Sequence, residues 1–543
     1  VSSNQPEAVT ASALIREAAK NHPNNVAYTF QNRHTTFAEF DHEVTHWAKA
    51  LMNLGVERGE AVSILAGNHP HFLRLAFAAA RIGAHLAPLN TWHKADELQY
   101  TLQHSDAVVL FTVDALRAHN FNTVFAGFLP ELNDLAPRPE FKAAPILRNV
   151  VSLGEGLPGM QSLEAFLEGA KNITDSQLAA RELQNTSSDL MYLLYTSGST
   201  SKPKSVMIHQ GNLLENGFHM GERQGIDERD RSWLATPLFY GVGALQALFS
   251  TWTHYARLVL QEAFDPAEAI TLLDQQRCTV YYGFGNLTRK LLSHPSFDKS
   301  KVHLRKGMIG FSEEDRRLAI EDLGVVHGVS VFGMTELYGL AALTDYRDPL
   351  DVVMTTQGKP LPGVEIRILD VDSGDPVGPN IVGELVIKGR TTSGYYKDDA
   401  RTAEAFTKDG YFRTGDLASL DENGRLVYQG RQGDMIKTGG VNVSPQEVEK
   451  LLDTVPGIKQ AHVCAVKDEE QGEAIAAFIE TDADVTPETI RTFLKARAAS
   501  YKVPKYFFYK SDESLPRLAS GKISLPALKQ EAADLAKEKA GAK

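Results

Sequence analysis

The chain has 543 residues, with 56 Lys and Arg against 68 Asp and Glu, a formal charge of −12. That length exceeds what one core ordinarily serves, so two or more domains are expected. The acidic balance argues against a nucleic-acid binder working through a broad basic face, and two scattered cysteines, Cys278 and Cys464, exclude a disulfide framework or a cysteine-based zinc site.

No run approaches the ~18 apolar residues of a membrane span. Residues 1–7 lack the basic and apolar regions of a signal peptide, so a cytoplasmic protein is expected. Residues 61–65 read as a strand, 71–81 as a helix and 107–112 as a strand, and this β–α–β rhythm recurs to about residue 345. It predicts parallel-rich sheets flanked by helices. Residues 191–195 are an apolar run, read as a buried strand, that leads into Thr196-Ser197-Gly198-Ser199-Thr200-Ser201-Lys202-Pro203-Lys204. Hydroxyls, freed backbone N–H groups and lysines suit phosphate oxygens. Pro203 stands where a Walker A loop requires glycine, and by composition alone the segment could equally be a polar surface turn.

Further along, Phe239-Tyr240-Gly241-Val242-Gly243 and Tyr281-Tyr282-Gly283-Phe284-Gly285 mix aromatics with glycines. Phe332-Gly333-Met334-Thr335-Glu336 sets a hydroxyl beside a carboxylate, and a carboxylate near phosphates commonly holds Mg²⁺. From residue 364 to 389 short β-rich runs, 364–369 and 383–387, alternate with Gly, Pro and Asp, predicting a β-rich subdomain. Tyr411-Phe412-Arg413-Thr414-Gly415-Asp416 ends in a carboxylate able to accept two ribose hydroxyls. The stretch 430–440 supplies Arg431, Lys437 and flexible glycines.

The last ~110 residues predict a small separate α+β unit, its boundary near 430–433. Ser444-Pro445-Gln446-Glu447 reads as a capping box, and Thr486-Pro487-Glu488 starts another helix. Residues 461–466 and 474–479 read as strands, and the Ala/Lys/Glu-rich tail as a helix or a frayed end.

With these motifs in this order, the chain resembles the adenylate-forming superfamily of acyl- and aryl-CoA synthetases, peptide-synthetase adenylation domains and beetle luciferases. Pro88-Leu89-Asn90, Gly358-Lys359-Pro360-Leu361-Pro362-Gly363, Gly383-Glu384-Leu385, Gly394-Tyr395-Tyr396 and Leu515-Pro516-Arg517…Gly521-Lys522-Ile523 look like family segments too. The resemblance implies an α/β fold: a large ATP- and acid-binding N-terminal domain, 1–432, and a small mobile C-terminal domain, 433–543. It implies an ATP-dependent acid–thiol ligase that adenylates a carboxylic acid and transfers the acyl group to CoA, with Mg²⁺. The alternative within the family loads a carrier-protein pantetheine.

Residue by residue, the resemblance gives Thr196, Ser197, Gly198, Ser199, Thr200 and Lys204 to the ATP phosphates. Thr335 goes to the α-phosphate and Glu336 to Mg²⁺. Phe332, Gly333 and Met334 fall to the nucleotide site, Asp416 and Arg431 to ribose, and Gly310, Phe311 and Tyr428 to adenine. Lys522 is implied for adenylation and Lys437 for the other half-reaction, with Gly433 as the hinge between the two states. Gly439 and Gly440 line the CoA tunnel, and Tyr240, Gly241, Tyr282, Gly283 and Phe284 the acid pocket. The aromatics suggest a bulky apolar acid, aryl or alicyclic, with medium-chain fatty acids also admitted.

Ser201 and Ser205 depart from family glycines; serine tolerates positive φ poorly, so a different loop geometry or ATP affinity is expected. Ser201-x-x-Lys204 and Lys437-Thr438-Gly439 also fit a penicillin-binding-type serine acylase, but its Ser-Asp-Asn element is absent.

Overall fold

Parallel strands joined through helices build most of the chain, as the β–α–β rhythm predicts. The computed structural model describes residues 5–134, 140–196, 203–310, 312–438, 441–468, 472–498, 500–518 and 523–541. The chain falls into two compact units, one of residues 1–365 with 387–412, the other of 366–386 with 413–543.

Among the described residues of the first unit are two seven-stranded sheets. One runs Lys204–His209, Leu190–Thr196, His85–Pro88, Ala61–Leu65, Ala107–Thr112, Asn149–Ser152, Gln161–Ser162, parallel except for its first pair. The other runs His327–Val329, Lys306–Met308, Val280–Tyr282, Arg231–Leu234, Arg257–Leu260, Val26–Phe30, Arg33–Thr36, antiparallel only at its last pair. The principal core draws on both sheets and on the helices Phe37–Asn53, Pro70–Arg81, Gln210–Gln224 and Leu248–Trp252. Phe40, Phe77, Phe249 and Trp252 meet there with ring centroids 5.0–6.1 Å apart. Arg81, fully buried, is held by Asp41, Ser12 and Thr45, which answers the desolvation of its charge.

The second unit carries most of the four-stranded sheet that the predicted β-rich segments form, Glu365–Leu369, Gly383–Lys388, Phe412–Leu420, Leu426–Arg431. It also holds a five-stranded sheet made of Val441–Val443, Ile436–Thr438, Gly472–Thr481, Ile458–Asp468 and Tyr506–Tyr509. Helices Pro445–Asp453, Pro487–Lys495 and Leu525–Gly541 accompany this sheet. Gln432–Asp434, where the sequence suggests a division, is a short 3-10 turn inside this unit.

The two helix starts differ. Thr486 caps its helix by accepting from the Thr489 N–H, as expected. The capping box at Ser444 does not form: the Ser444 hydroxyl donates to the Gln429 carbonyl at 2.6 Å, and the Glu447 carboxylate takes Lys502 instead. The Gln429 carbonyl, not the helix's first N–H groups, orients the Ser444 hydroxyl, and the Lys502 ammonium takes the carboxylate that the box would turn back to the Ser444 N–H. Both cysteines are buried and unbridged. Among the described residues no helix is long and apolar enough to cross a membrane.

Candidate active site

The hydroxyl-rich segment connects two antiparallel strands, Leu190–Thr196 and Lys204–His209, with Thr196 directly opposite Lys204. Lys204 therefore stands at the base of the connection. Residues 197–202, including Ser197, Gly198, Ser199 and Thr200, lie outside the described residues, as do Phe311, Gly439, Gly440 and Lys522. Ser205 sits in a regular strand opposite Tyr195 and outside the left-handed region. No positive φ is needed at Ser205, because strand pairing sets an extended backbone that any residue adopts.

Lys204 donates to the Glu336 carboxylate and, at 3.0 Å, to the Tyr395 hydroxyl, which itself donates to Glu336 at 3.0 Å. Glu336 is only 2% exposed. Burial, then the Glu336 charge, pushes the Tyr395 hydroxyl well above its ordinary range, so it stays protonated as a donor. Tyr395 is a partner that motif reading overlooks; its only sequence signal is the Gly394-Tyr395-Tyr396 segment. It reaches the site because 390–396 is pinned to the first unit. Thr392 N–H donates to the Glu336 carbonyl at 2.6 Å, Tyr396 N–H to the Ser205 carbonyl at 2.9 Å, and Arg390 to Asn216 and Glu215.

Thr335 and Glu336 occupy a short 3-10 turn after strand Val331–Phe332. Gly333 permits it: a Cβ there would lie 1.9 Å from the Gly339 carbonyl oxygen. Thr335 adjoins the aromatic segment, since a Cβ added at Gly241 would sit 3.3 Å from its hydroxyl. Tyr240 packs against Trp92 and Phe239, with centroids 5.3 and 5.0 Å away, and its hydroxyl accepts from Asn90 at 3.1 Å. Asn90 lay in a family segment; Trp92 carried no sequence signal. Phe284 and Gly283 follow strand Val280–Tyr282. Tyr282 is fully buried in the principal core, its hydroxyl toward Gln224, Ser250 and Thr251. Gly310 holds φ +102°, closing strand Lys306–Met308 against the Asp315 side chain.

Within the second unit, Asp416 and Arg431 are directly opposite on adjacent antiparallel strands, Arg431 Nε lying 3.3 Å from the carboxylate. The Tyr428 hydroxyl is 3.5 Å from the same oxygen. Asp416 is nearly buried, and desolvation outweighs Arg431 and Tyr428, raising its carboxyl to about 6. The folded protein thus holds this proton from the ordinary 3.8 up to about 6, a window in which stability falls as pH rises. Ribose hydroxyls would donate to the ionised form. With Asp416 on the ribose, as the resemblance implies, adenosine, which has no phosphate to titrate, is expected to bind about tenfold more weakly at pH 5 than at pH 8. Asp416→Asn should abolish that dependence in calorimetric titrations. Apart from its own residue and its two chain neighbours, Gly433 has no heavy atom within 4 Å of where a Cβ would stand, and Lys437 lies on strand Ile436–Thr438.

Among the described residues no group of three or more His, Cys, Asp or Glu side chains could hold a metal. One buried carboxylate, Glu336, fits Mg²⁺ shared with substrate phosphates, because Mg²⁺ takes few protein ligands and keeps phosphate and water oxygens. Thr196 Oγ1, buried and without a partner among the described residues, fits a phosphate-facing donor.

Residues 15–396 match the family model for the AMP-binding enzyme, and 447–522 that for its C-terminal domain. The chain belongs to the AMP-binding enzyme family, in the acyl- and aryl-CoA ligase branch of the adenylate-forming superfamily. It is 30% identical over 537 residues to YngI of Bacillus subtilis (strain 168), an acyl-CoA synthetase by name, with 97% of each chain covered. It is also 30% identical to the acyl-CoA ligase sidI of Aspergillus fumigatus, covering 92% of this chain and 87% of that one. ATP-bound MatB from Rhodopseudomonas palustris has the same fold, with TM-score 0.80 at 25% identity over 96% of this chain and 99% of MatB.

Proposed function

We propose that this chain is an AMP-forming acid–thiol ligase of the cytoplasm, converting a carboxylic acid and ATP to acyl-AMP and pyrophosphate and then passing the acyl group to CoA. The observation that carries this reading is the Lys204–Glu336–Tyr395 cluster at the base of the hydroxyl-rich loop, next to Thr335 and the aromatic segment around Tyr240. In the first step a carboxylate oxygen bonds to the α-phosphorus and the bond to the β-phosphate oxygen breaks. Anion approaches anion, so charge must be neutralised where it grows. Lys204 and the loop hold the β- and γ-phosphates, Thr335 donates to the α-phosphate, and Lys522 follows the charge on the transferring oxygens. Mg²⁺ held by Glu336 would supply further neutralisation. Phe332, Gly333, Met334, Gly310, Phe311 and Tyr428 shape the nucleotide site, with Asp416 and Arg431 on the ribose.

In the second step the thiol sulfur bonds to the acyl carbon, its proton passes to solvent, and AMP leaves. Lys437 and the Gly439-Gly440 pair serve this half, reached by a swing at Gly433 of a domain running from 433 to 543. Trp92, Phe239, Tyr240, Gly241, Gly283 and Phe284 favour a bulky apolar acid, aryl, alicyclic or medium-chain; Tyr282 supports the pocket from the core. ATP–pyrophosphate exchange across a panel of carboxylic acids, with CoA added afterwards, tests the reading; a chain that exchanges with no acid defeats it. An acyl product on carrier protein but not on CoA would move the acceptor to a carrier. Gly433→Pro is expected to leave exchange within about twofold and to slow thioester formation tenfold or more, because only the second half needs the φ/ψ change. An unimpaired overall rate would remove Gly433 as the hinge.

A further inference from the structure

Four separate stretches of chain bring arginine to one edge of the sheet whose other end leads into the aromatic segments. Arg231 and Arg257 open the parallel strands Arg231–Leu234 and Arg257–Leu260 and lie directly opposite in register. Arg277 precedes strand Val280–Tyr282, and Arg305 precedes Lys306–Met308; these strands are consecutive neighbours with the first two. A cavity of about 310 Å³ at that N-terminal edge is lined by Arg229, Arg231, Arg277, Thr279, His303 and Arg305. Tyr240, Phe284 and Gly310 follow the opposite, C-terminal ends of the same strands, so this cavity is separate from the candidate active site.

The charges here do not balance. Asp227 pairs with Arg229 at 2.9 Å, and Asp230, fully buried, pairs with Arg305 at 2.9 Å and Lys306 at 2.6 Å. Among the described residues Arg231, Arg257 and Arg277 have no carboxylate partner; Arg231 donates to the Gln276 carbonyl at 2.9 Å. Burial and then the Arg231 charge both work against the charge of Arg257, which opens the neighbouring strand without lining the cavity. Arg277 holds a left-handed backbone with φ 48°, a conformation glycine adopts freely and arginine at a cost. An acidic protein thus concentrates guanidinium groups around one cavity and leaves much of their charge unanswered.

We propose that this cavity binds a polyphosphate group, either inorganic polyphosphate or the phosphate chain of a nucleotide. Guanidinium forks match phosphoryl oxygens two at a time, which a lysine cluster would not do. The cavity is near the lower end of small-molecule site volumes, room for a short phosphate chain rather than a macromolecular surface. Excess positive charge at close quarters favours a multiply charged anion over sulfate or a monophosphate.

The test is calorimetric titration of tripolyphosphate, and in a separate arm ATP, into the full chain. Lys204→Ala weakens the phosphate loop, and the Arg277 variants then decide whether the binding that survives it lies at this cavity. One tripolyphosphate site is expected to survive Lys204→Ala, to weaken at least tenfold when Arg277→Glu is added, and to weaken less with Arg277→Lys. Arg277→Glu alone should leave the melting temperature and acid-dependent ATP–pyrophosphate exchange unchanged. ATP binding as tightly as tripolyphosphate at the surviving site would identify the nucleotide as the source; much weaker ATP binding would identify inorganic polyphosphate. Loss of all binding in Lys204→Ala, indifference to Arg277→Glu, or equal displacement by poly-glutamate would each overturn the proposal.

Discussion

Glu336→Gln is expected to slow acyl-AMP formation by about 10²–10³-fold, the scale of removing one electrostatic contact that strengthens in a transition state. The substitution keeps the size of the side chain, and an amide oxygen can still accept from the Tyr395 hydroxyl, now 3.0 Å away. What disappears is the negative charge facing Lys204. Glu336 is 2% exposed, but the Lys204 side chain is 19% exposed, so water answers part of the orphaned charge. A stability loss on the order of 1–2 kcal/mol is expected, below that of breaking a fully buried pair. The two effects separate by measurement: exchange kinetics report the first and thermal unfolding the second. A variant that unfolds earlier but exchanges at the wild-type rate would make Glu336 a structural partner only.

Lys522→Ala is expected to cost acyl-AMP formation a similar 10²–10³-fold while thioester formation from supplied acyl-AMP and CoA stays within about twofold. Lys522 lies outside the described residues, so this expectation rests on the Gly521-Lys522-Ile523 match and on the chemistry. A compact ammonium on a long stem is needed when the carboxylate meets the α-phosphate, and not when a thiol displaces AMP. Single-turnover rates for each half-reaction decide it. Equal loss in both halves would contradict the division of labour between Lys522 and Lys437.

Much of this was legible locally. The alternation that predicted strands at 61–65 and 107–112 and a helix at 71–81 appears as Ala61–Leu65, Ala107–Thr112 and Pro70–Arg81. Thr486 caps its helix because all partners lie within three residues. Ser444 failed by the same logic: its hydroxyl found a carbonyl fifteen residues back along the chain, which no local pattern encodes. Tyr282 and Phe284 look alike in an aromatic–glycine run, yet Tyr282 lies inside a strand buried along its whole length, while Phe284, past the strand's end, is only partly buried against the same core.

By itself the sequence determined the element types, the ordered motifs and the residue chemistry, because apolar periodicity, hydroxyl-rich loops and charge are properties of short stretches. Tertiary structure alone decided the partners. Lys204 meets Glu336 across 132 positions, and Tyr395 joins them from 59 positions further on. Arginines at the starts of three neighbouring strands line one cavity. Parallel-sheet crossovers bring such distant segments side by side, and which segments become neighbours follows from strand order in the sheet, not from anything either segment carries alone.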